Sequence, residues 1–430
     1  MAIRMKLRRI ALCVAGSALC ALPCACAAPR TTASKPTAPV LAPNATLDPS
    51  TAAARAVAIS PRVLAAAHRL DASAARAQAA ALPPDPTIAI SLGVPIDGLG
   101  GFPISLSIME GLAWLMHADV ITSSAERERA AASAELLAAS VEVAADARRL
   151  VRAVAAAREQ TAAADRAVQS RAELVEIERS ALALGESSTV RIAALESRLT
   201  QARLDASAAQ LMNHELETAL ASLLAVERAP AVSGMIPDDT ALGTADSLDV
   251  LRARARVARA ESMLAASGGV LGANSAIGPS ISRDLEDRES LGGTLEFTAP
   301  LFRRGHELAA LESDLAAERE ELAEAERRAA LDLDHARAQV ESARSTLAIA
   351  LDGARTTEAA RAALAAAADD GEASRAAIAE ASADAAEWRA RAAERRIELA
   401  NALFRIESRA ATSERSTEAA ITATTEGTNR

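Results

Sequence analysis

Aromatic side chains are nearly missing from this sequence: four phenylalanines, two tryptophans and no tyrosine in 430 residues. That leaves too few large rigid side chains for the core of an ordinary globular enzyme of this length. Cysteine is confined to Cys13, Cys20, Cys24 and Cys26, so the remaining chain has neither disulfides nor thiol chemistry. Lysine occurs only at Lys6 and Lys35, and arginine carries nearly all the positive charge. Glycine and proline are absent from Leu112 to Leu184, and from His306 to Asp370 except for Gly353. At 1.5 Å per residue, each run predicts a helix on the order of 100 Å long.

Catalytic constellations are missing too. There is no Gly-x-Ser-x-Gly elbow and no glycine-rich phosphate loop between a strand and a helix. His68, His117, His214, His306 and His335 are scattered without metal-site spacing on one helical face. His117 and His306 hold nearly equivalent places after a strand, where junction packing is the default reading and a metal the alternative. The sequence therefore predicts no catalytic, cofactor or metal site.

What is present begins with a targeting segment. Arg4, Lys6, Arg8 and Arg9 precede the apolar run IALCVAGSALCAL, and PCACAA offers small residues for cleavage, giving a signal peptide over 1–27. Cleavage after Ala27 fits Ala-x-Ala at Ala25 and Ala27. Cleavage before Cys26 would make a lipoprotein with Cys26 as lipid anchor, although Pro23 stands where a leucine-like residue is usual. The formal net charge is −10; losing the four basic residues of the leader leaves 43 basic against 57 acidic residues, about −14. Nucleic acid is not an expected partner.

The remaining chain reads as two copies of one unit. A Pro/Thr/Ala tether over 28–55 leads to a first repeat over 56–229, and a Pro/Gly/Asp linker over 230–246 to a second over 247–410. A polar tail over 411–430 is expected to be disordered. Each repeat runs short helix, β-hairpin, long helix, glycine turn and returning helix. Gly185 and Gly371, at the two turns, lie 186 positions apart. Charges at three- and four-residue spacing along the helices support exposed faces, and the Leu, Val and Ala positions between them predict seams of close helix approach.

Both hairpins have two unlike faces. In the first, Ile88, Ile90, Leu92, Val94 and Ile96 alternate with Thr87, Ala89, Ser91, Gly93 and Pro95; Ile104, Leu106 and Ile108 return with Ser105 and Ser107. In the second, Leu295 and Phe297 alternate with Thr294, Glu296 and Thr298, which places those three residues on the small or polar face. Glu110 falls in the aliphatic phase, so its strand is expected to end or slip near Ile108. Strands of about ten residues with one aliphatic face match the length and pattern of tilted membrane strands. No predicted helix is apolar enough to span a bilayer. Four strands cannot close a barrel, and open edges are not tolerated in lipid. Three chains would supply twelve, with the small and polar face toward water.

In this order, twice over, the features of the mature chain resemble the TolC-like outer-membrane efflux proteins. The likeness is carried by LPPDPTIAISLGVP, by PLFRRGHELAALESDLAAEREELAEAERRA, and by the paired turns ALGESSTVRIAALESRLTQARLDASAAQ and GEASRAAIAEASADAAEWRARAAERR. It implies a mainly α fold with a membrane β-barrel part: a homotrimer with a 12-stranded outer-membrane barrel and an α-helical tunnel in the periplasm, joined through an adaptor to an inner-membrane pump. By position it implies that Gly185, Glu186, Ser187, Gly371 and Glu372 form the tips that meet the adaptor. Asp369 and Asp370 would ring an acidic entrance, or simply solvate a helix end. The chain lacks the family's usual arginine and aromatic before the glycine, having Ala181 and Leu182, and Ala367 and Ala368. The expected activity is a passive export duct. A periplasmic adaptor or scaffold is the non-channel alternative and would need a larger β body; an exported hydrolase would need a catalytic constellation.

Overall fold

Asp48 caps the first helix of the described chain. Its carboxylate accepts the backbone N–H of Thr51 at 2.7 Å and the hydroxyls of Ser50 and Thr51, and Pro49 supplies a preset φ at the first helical position. Helix α1 (Pro49–Ile59) therefore starts inside the stretch expected to be tether, because Ala52, Ala53 and Ala56 have a core to enter. Pro61 forces Ser60 into extended geometry, which separates α1 from α2 (Pro61–Ala80). The computed structural model describes residues 46–92, 104–233, 247–267, 276–284, 288–296, 304–369 and 373–409, all within one compact unit, Ala38–Thr417. Leu92, 110–117, Arg304 and Asp369 are described by backbone only.

The order continues with β1 (Thr87–Leu92), β2 (Ile104–Gly111), α3 (Leu112–Ala183), α4 (Thr189–Leu223), α5 (Leu248–Ser267), β3 (Ala276–Arg283), β4 (Glu289–Glu296), α6 (Arg304–Asp369) and α7 (Arg375–Glu407). The two long helices thus run 72 and 66 residues. The four strands form one antiparallel sheet in the order β1-β2-β3-β4, so the two hairpins lie side by side with β1 and β4 at the edges.

The strand containing Glu110 neither ends nor slips at Ile108. It runs to Gly111 with Glu110 opposite Ile277, in the same register as Ser107 opposite Ser280. Only the intervening pairs are missing. Pro279 has no N–H to donate there, and the β2 backbone comes so close to Gly278 that a Cβ on that residue would lie 1.7 Å from the Ile108 carbonyl oxygen.

Helix spacing explains the body. The buried residues of α4, Ile192, Leu195, Leu199, Ala202, Ala206 and Ala209, advance by alternate threes and fours and make one seam, against α3. Helix α7 has two such stripes. One is Ala379, Ala383, Ala386, Ala393, Ile397 and Ala400; the other is Ala385, Ala392, Leu399 and Ile406 at seven-residue intervals. It accordingly packs between α3 and α6. Fully buried Ala153 and Ala157 of α3 meet Ile397, and the small side chains at these two positions leave room for it. Helix α3 also carries α1, α2 and α5, whereas the main packing partners of α6 are α5 and α7.

Candidate functional site

Register assigns every strand residue to a face. Ile88, Ile90, Ile104, Leu106, Ile108, Ile277, Ile281, Leu291 and Leu295 share one face of the sheet, and all of them are exposed. Leu291 and Leu295 are 67% and 56% accessible, so this aliphatic band has no cover within the chain. The opposite face carries Thr87, Ala89, Ser91, Ser105, Ser107, Ala276, Ser280, Ser282, Ser290, Thr294 and Glu296. Its hydroxyls pair across strands, Ser91 with Ser105 at 2.7 Å and Ser282 with Ser290 at 2.6 Å. Thr294 and Glu296 thus share the small, hydroxyl-rich face. Thr298 lies outside the described residues, as do Cys26 and Phe297.

Far from the sheet along α3, the first helical turn is built from several devices. Gly185, at φ 79°, donates its N–H to the Leu182 carbonyl, and Glu186 donates to that of Ala181, which closes the helix end in a left-handed cap. Ser188 then accepts the N–H of Arg191 and starts α4. Beneath the turn lies Glu178, 6% exposed. One of its oxygens accepts the Ser187 hydroxyl at 2.7 Å, and the other meets the Arg191 guanidinium at 2.8 Å. Glu186 is exposed, while Ser187 is turned partly inward. At the second turn Ser374 caps α7 through the N–H of Ala377. Asp370, Gly371 and Glu372 lie outside the described residues, and Asp369 is placed only as the last residue of α6.

Sequence reasoning missed Glu178, because a glutamate in VEIERS reads as one more solvated helix charge; only the path of the chain beyond Gly185 encloses it. It missed Arg171 for the same reason. Arg171, its side chain 5% exposed on α3, donates to Asp384 at 2.7 Å and to Glu387 at 2.8 and 3.0 Å on α7. Burial alone would lower its pKa; the hydrogen bonds and charges of Glu387 and Asp384 outweigh burial and raise it. Arg152 likewise reaches Glu407 at 2.8 Å. These pairs join the long helix of one repeat to the returning helix of the other.

More exposed charges set register. Arg62, Arg69 and Arg76 of α2 meet Glu142, Glu135 and Glu128 of α3, each rung seven residues on along one helix and seven back along the other. Exposed pairs of this kind contribute about 0.2–1 kcal/mol each at most. Among the described residues, no group of three or more His, Cys, Asp or Glu side chains is placed to hold a metal ion, and no helix is long and apolar enough to cross a membrane.

No protein-family model and no curated protein matches the sequence. Solved structures do match. The outer membrane protein VceC of Vibrio cholerae superposes with TM-score 0.61 at 16% identity, over 83% of this chain and 95% of that one. The Campylobacter jejuni CmeC outer membrane channel gives 0.62 at 13% identity, over 87% and 89%. The open state of the Neisseria gonorrhoeae MtrE outer membrane channel gives 0.58 at 15% identity, over 88% and 94%. The chain therefore has the fold of the TolC-like outer-membrane channels, through nearly their whole length.

Proposed function

We propose that this protein is the outer-membrane channel of a tripartite efflux system, a passive duct that works as a homotrimer. The observation that carries this reading is the four-stranded sheet: one face an uncovered aliphatic band with Glu110, Arg283 and Glu289 only toward its ends, the other hydroxyl-rich, with β1 and β4 each paired on one side. In water such edges and such a band invite aggregation; in lipid the edges must be closed by other strands. Three copies give a 12-stranded barrel in which the aliphatic band meets outer-membrane lipid and Thr294, Glu296 and Thr298 face the water-filled lumen. A carboxylate deep in lipid would be costly; register puts Glu296 on the hydroxyl face, and Glu110, which shares the aliphatic face, stands at the margin of the band next to the start of α3.

The helices then form a tunnel in the periplasm. The first turn, with Gly185, Glu186 and Ser187, and the second, with Gly371 and Glu372, meet a periplasmic adaptor that connects the duct to an inner-membrane pump. Asp369 and Asp370, repeated three times, form an acidic entrance that favours cations. Residues 1–27 are the export signal, Cys26 becomes the lipid anchor if cleavage precedes it, and the two repeats are the assembly units on either side of the linker. The protein performs no chemistry; energy and substrate choice come from the pump.

The test is single-channel conductance of the detergent-purified mature protein in a planar bilayer. Stable openings that divalent cations reduce, and that recover in Asp369→Ala/Asp370→Ala, support the duct and its acidic entrance together. Absence of conductance from a protein that extracts as a soluble monomer overturns the reading.

A further inference from the structure

The charged residues on the described strands are Glu110, Arg283, Glu289 and Glu296, and register divides them unequally. Glu110, Arg283 and Glu289 fall on the aliphatic face, toward its ends; Glu296 alone falls on the other. Apart from Glu296, the hydroxyl face is uncharged among the described residues, being made of serine, threonine, alanine, glycine and Met109. Hydroxyls of this kind can hydrate an ion of either sign, since each both donates and accepts.

Position sharpens the contrast. Glu296 is the last residue of β4 and is exposed. Its row across the sheet continues with Ala276 and Gly111, and α3 begins directly after Gly111, so the row marks the end of the sheet from which the long helices leave. Neither neighbour in the row has a side chain that could shield the carboxylate or donate to it. The next basic residues along the chain, Arg303 and Arg304, come only where α6 begins.

We propose that Glu296 sets the charge preference of the barrel: three copies form a ring of carboxylates where the barrel gives way to the helices, and the ring favours positively charged solutes over anions. The inference rests on the proposed trimeric duct and adds to it a selecting group separate from Asp369 and Asp370, which lie at the far end of α6. Twelve strands about 4.8 Å apart and tilted by about 40° close to a backbone radius of roughly 12 Å. With the glutamate side chains pointing inward, each charge lies roughly 7–8 Å from the axis, about one Debye length at physiological salt. Even at the centre of the opening a passing ion is therefore within the field of all three.

The experiment is the reversal potential of single channels of the purified mature protein in a planar bilayer under a KCl gradient. Glu296→Gln lowers the potassium-to-chloride permeability ratio about threefold in dilute salt, and Glu296→Lys lowers it further. The same loss appears in an Asp369→Ala/Asp370→Ala background, and it fades near 1 M salt, where the Debye length is about 3 Å. Glu110→Gln makes the same change at the same end of the sheet but on the aliphatic face, and leaves the ratio unaltered. Stable openings whose ratio ignores both Glu296 variants, or responds equally to Glu110→Gln, overturn the inference and leave the duct standing. Absence of openings from the unaltered protein overturns the duct itself, and the inference with it.

Discussion

Helices α3 and α6 are nearly equal in length, follow equivalent hairpins and have similar alanine-, arginine- and glutamate-rich sequences, yet they occupy different situations. Helix α3 is surrounded by α1, α2, α4, α5 and α7, and buries Val151, Val154, Leu174, Val175 and a series of alanines. Helix α6 packs mainly on α5 and α7, and its buried apolar residues among those described are Leu315, Ala336, Val340 and Ala350. Leu331 and Ile349 of α6 stay 71% and 64% exposed, and so do Leu204 and Leu211 on the free side of α4 at 61% and 60%. The two helices are alike in length and composition; the layer has one centre and two edges, α4 and α6. The edge residues are the surface that the proposed trimer covers.

The sharpest way to break this contrast is to truncate one leucine on each helix. Leu174, 1% exposed among Val175, Leu195, Leu199 and Ala379, should cost about 2–5 kcal/mol as Leu174→Ala, seen as a lowered denaturation midpoint. Leu331→Ala should change the monomer by less than about 0.5 kcal/mol and act instead on assembly, seen as earlier dissociation of the oligomer in detergent. If Leu331→Ala matched Leu174→Ala in the isolated monomer, the edge assignment of α6 would fail.

A finer contrast lies within α6. Gly353 is where Trp388 of α7 rests: a Cβ there would lie 2.5 Å from a ring carbon, while the Arg391 guanidinium covers Trp388 at 4.9 Å. Gly305, near the start of the same helix, would meet nothing. Gly353→Ala should therefore destabilise by about 1–3 kcal/mol despite its better helix propensity, and shift Trp388 emission in a Trp114→Phe background. Gly305→Ala should be neutral or stabilise by a few tenths of a kcal/mol in thermal melts.

A pH-dependent effect concerns where the described chain joins α3. The N–H of Thr51 and the hydroxyl of Ser50 hold the Asp48 carboxyl below its ordinary value. Its contribution is complete above the ordinary carboxylate range near pH 4 and disappears as pH falls through the depressed value. Asp48→Ala should cost about 1 kcal/mol at neutral pH, and the difference from the unaltered protein should vanish only in melts at a pH below the depressed value. A difference that persisted in acid would assign the effect to packing of α1 rather than to its cap.

Much of this was legible without coordinates. Missing glycine and proline bounded α3 and α6 to within a few residues, and strict alternation put Thr294 and Glu296 on the hydroxyl face, because strand faces follow from a period of two. The start of α1 was not legible: an alanine-rich segment behind a Pro/Thr stretch has no apolar stripe strong enough to announce that it packs. The continuation of β2 through Glu110 was hidden because a carboxylate in the aliphatic phase looks like a strand end until Ile277 is seen opposite it.

By itself the sequence determined the long helices, the order of helices and hairpins, and the two faces of each hairpin, all of which depend on local periodicity and on where glycine and proline fall. Tertiary structure alone decided that the hairpins join into one sheet, that α3 is central and α6 an edge, and that Glu178 and Arg171 are buried among ordinary-looking helix charges. Those outcomes depend on which surfaces meet across hundreds of residues. In helices so rich in alanine, neighbouring faces look almost alike until they are packed.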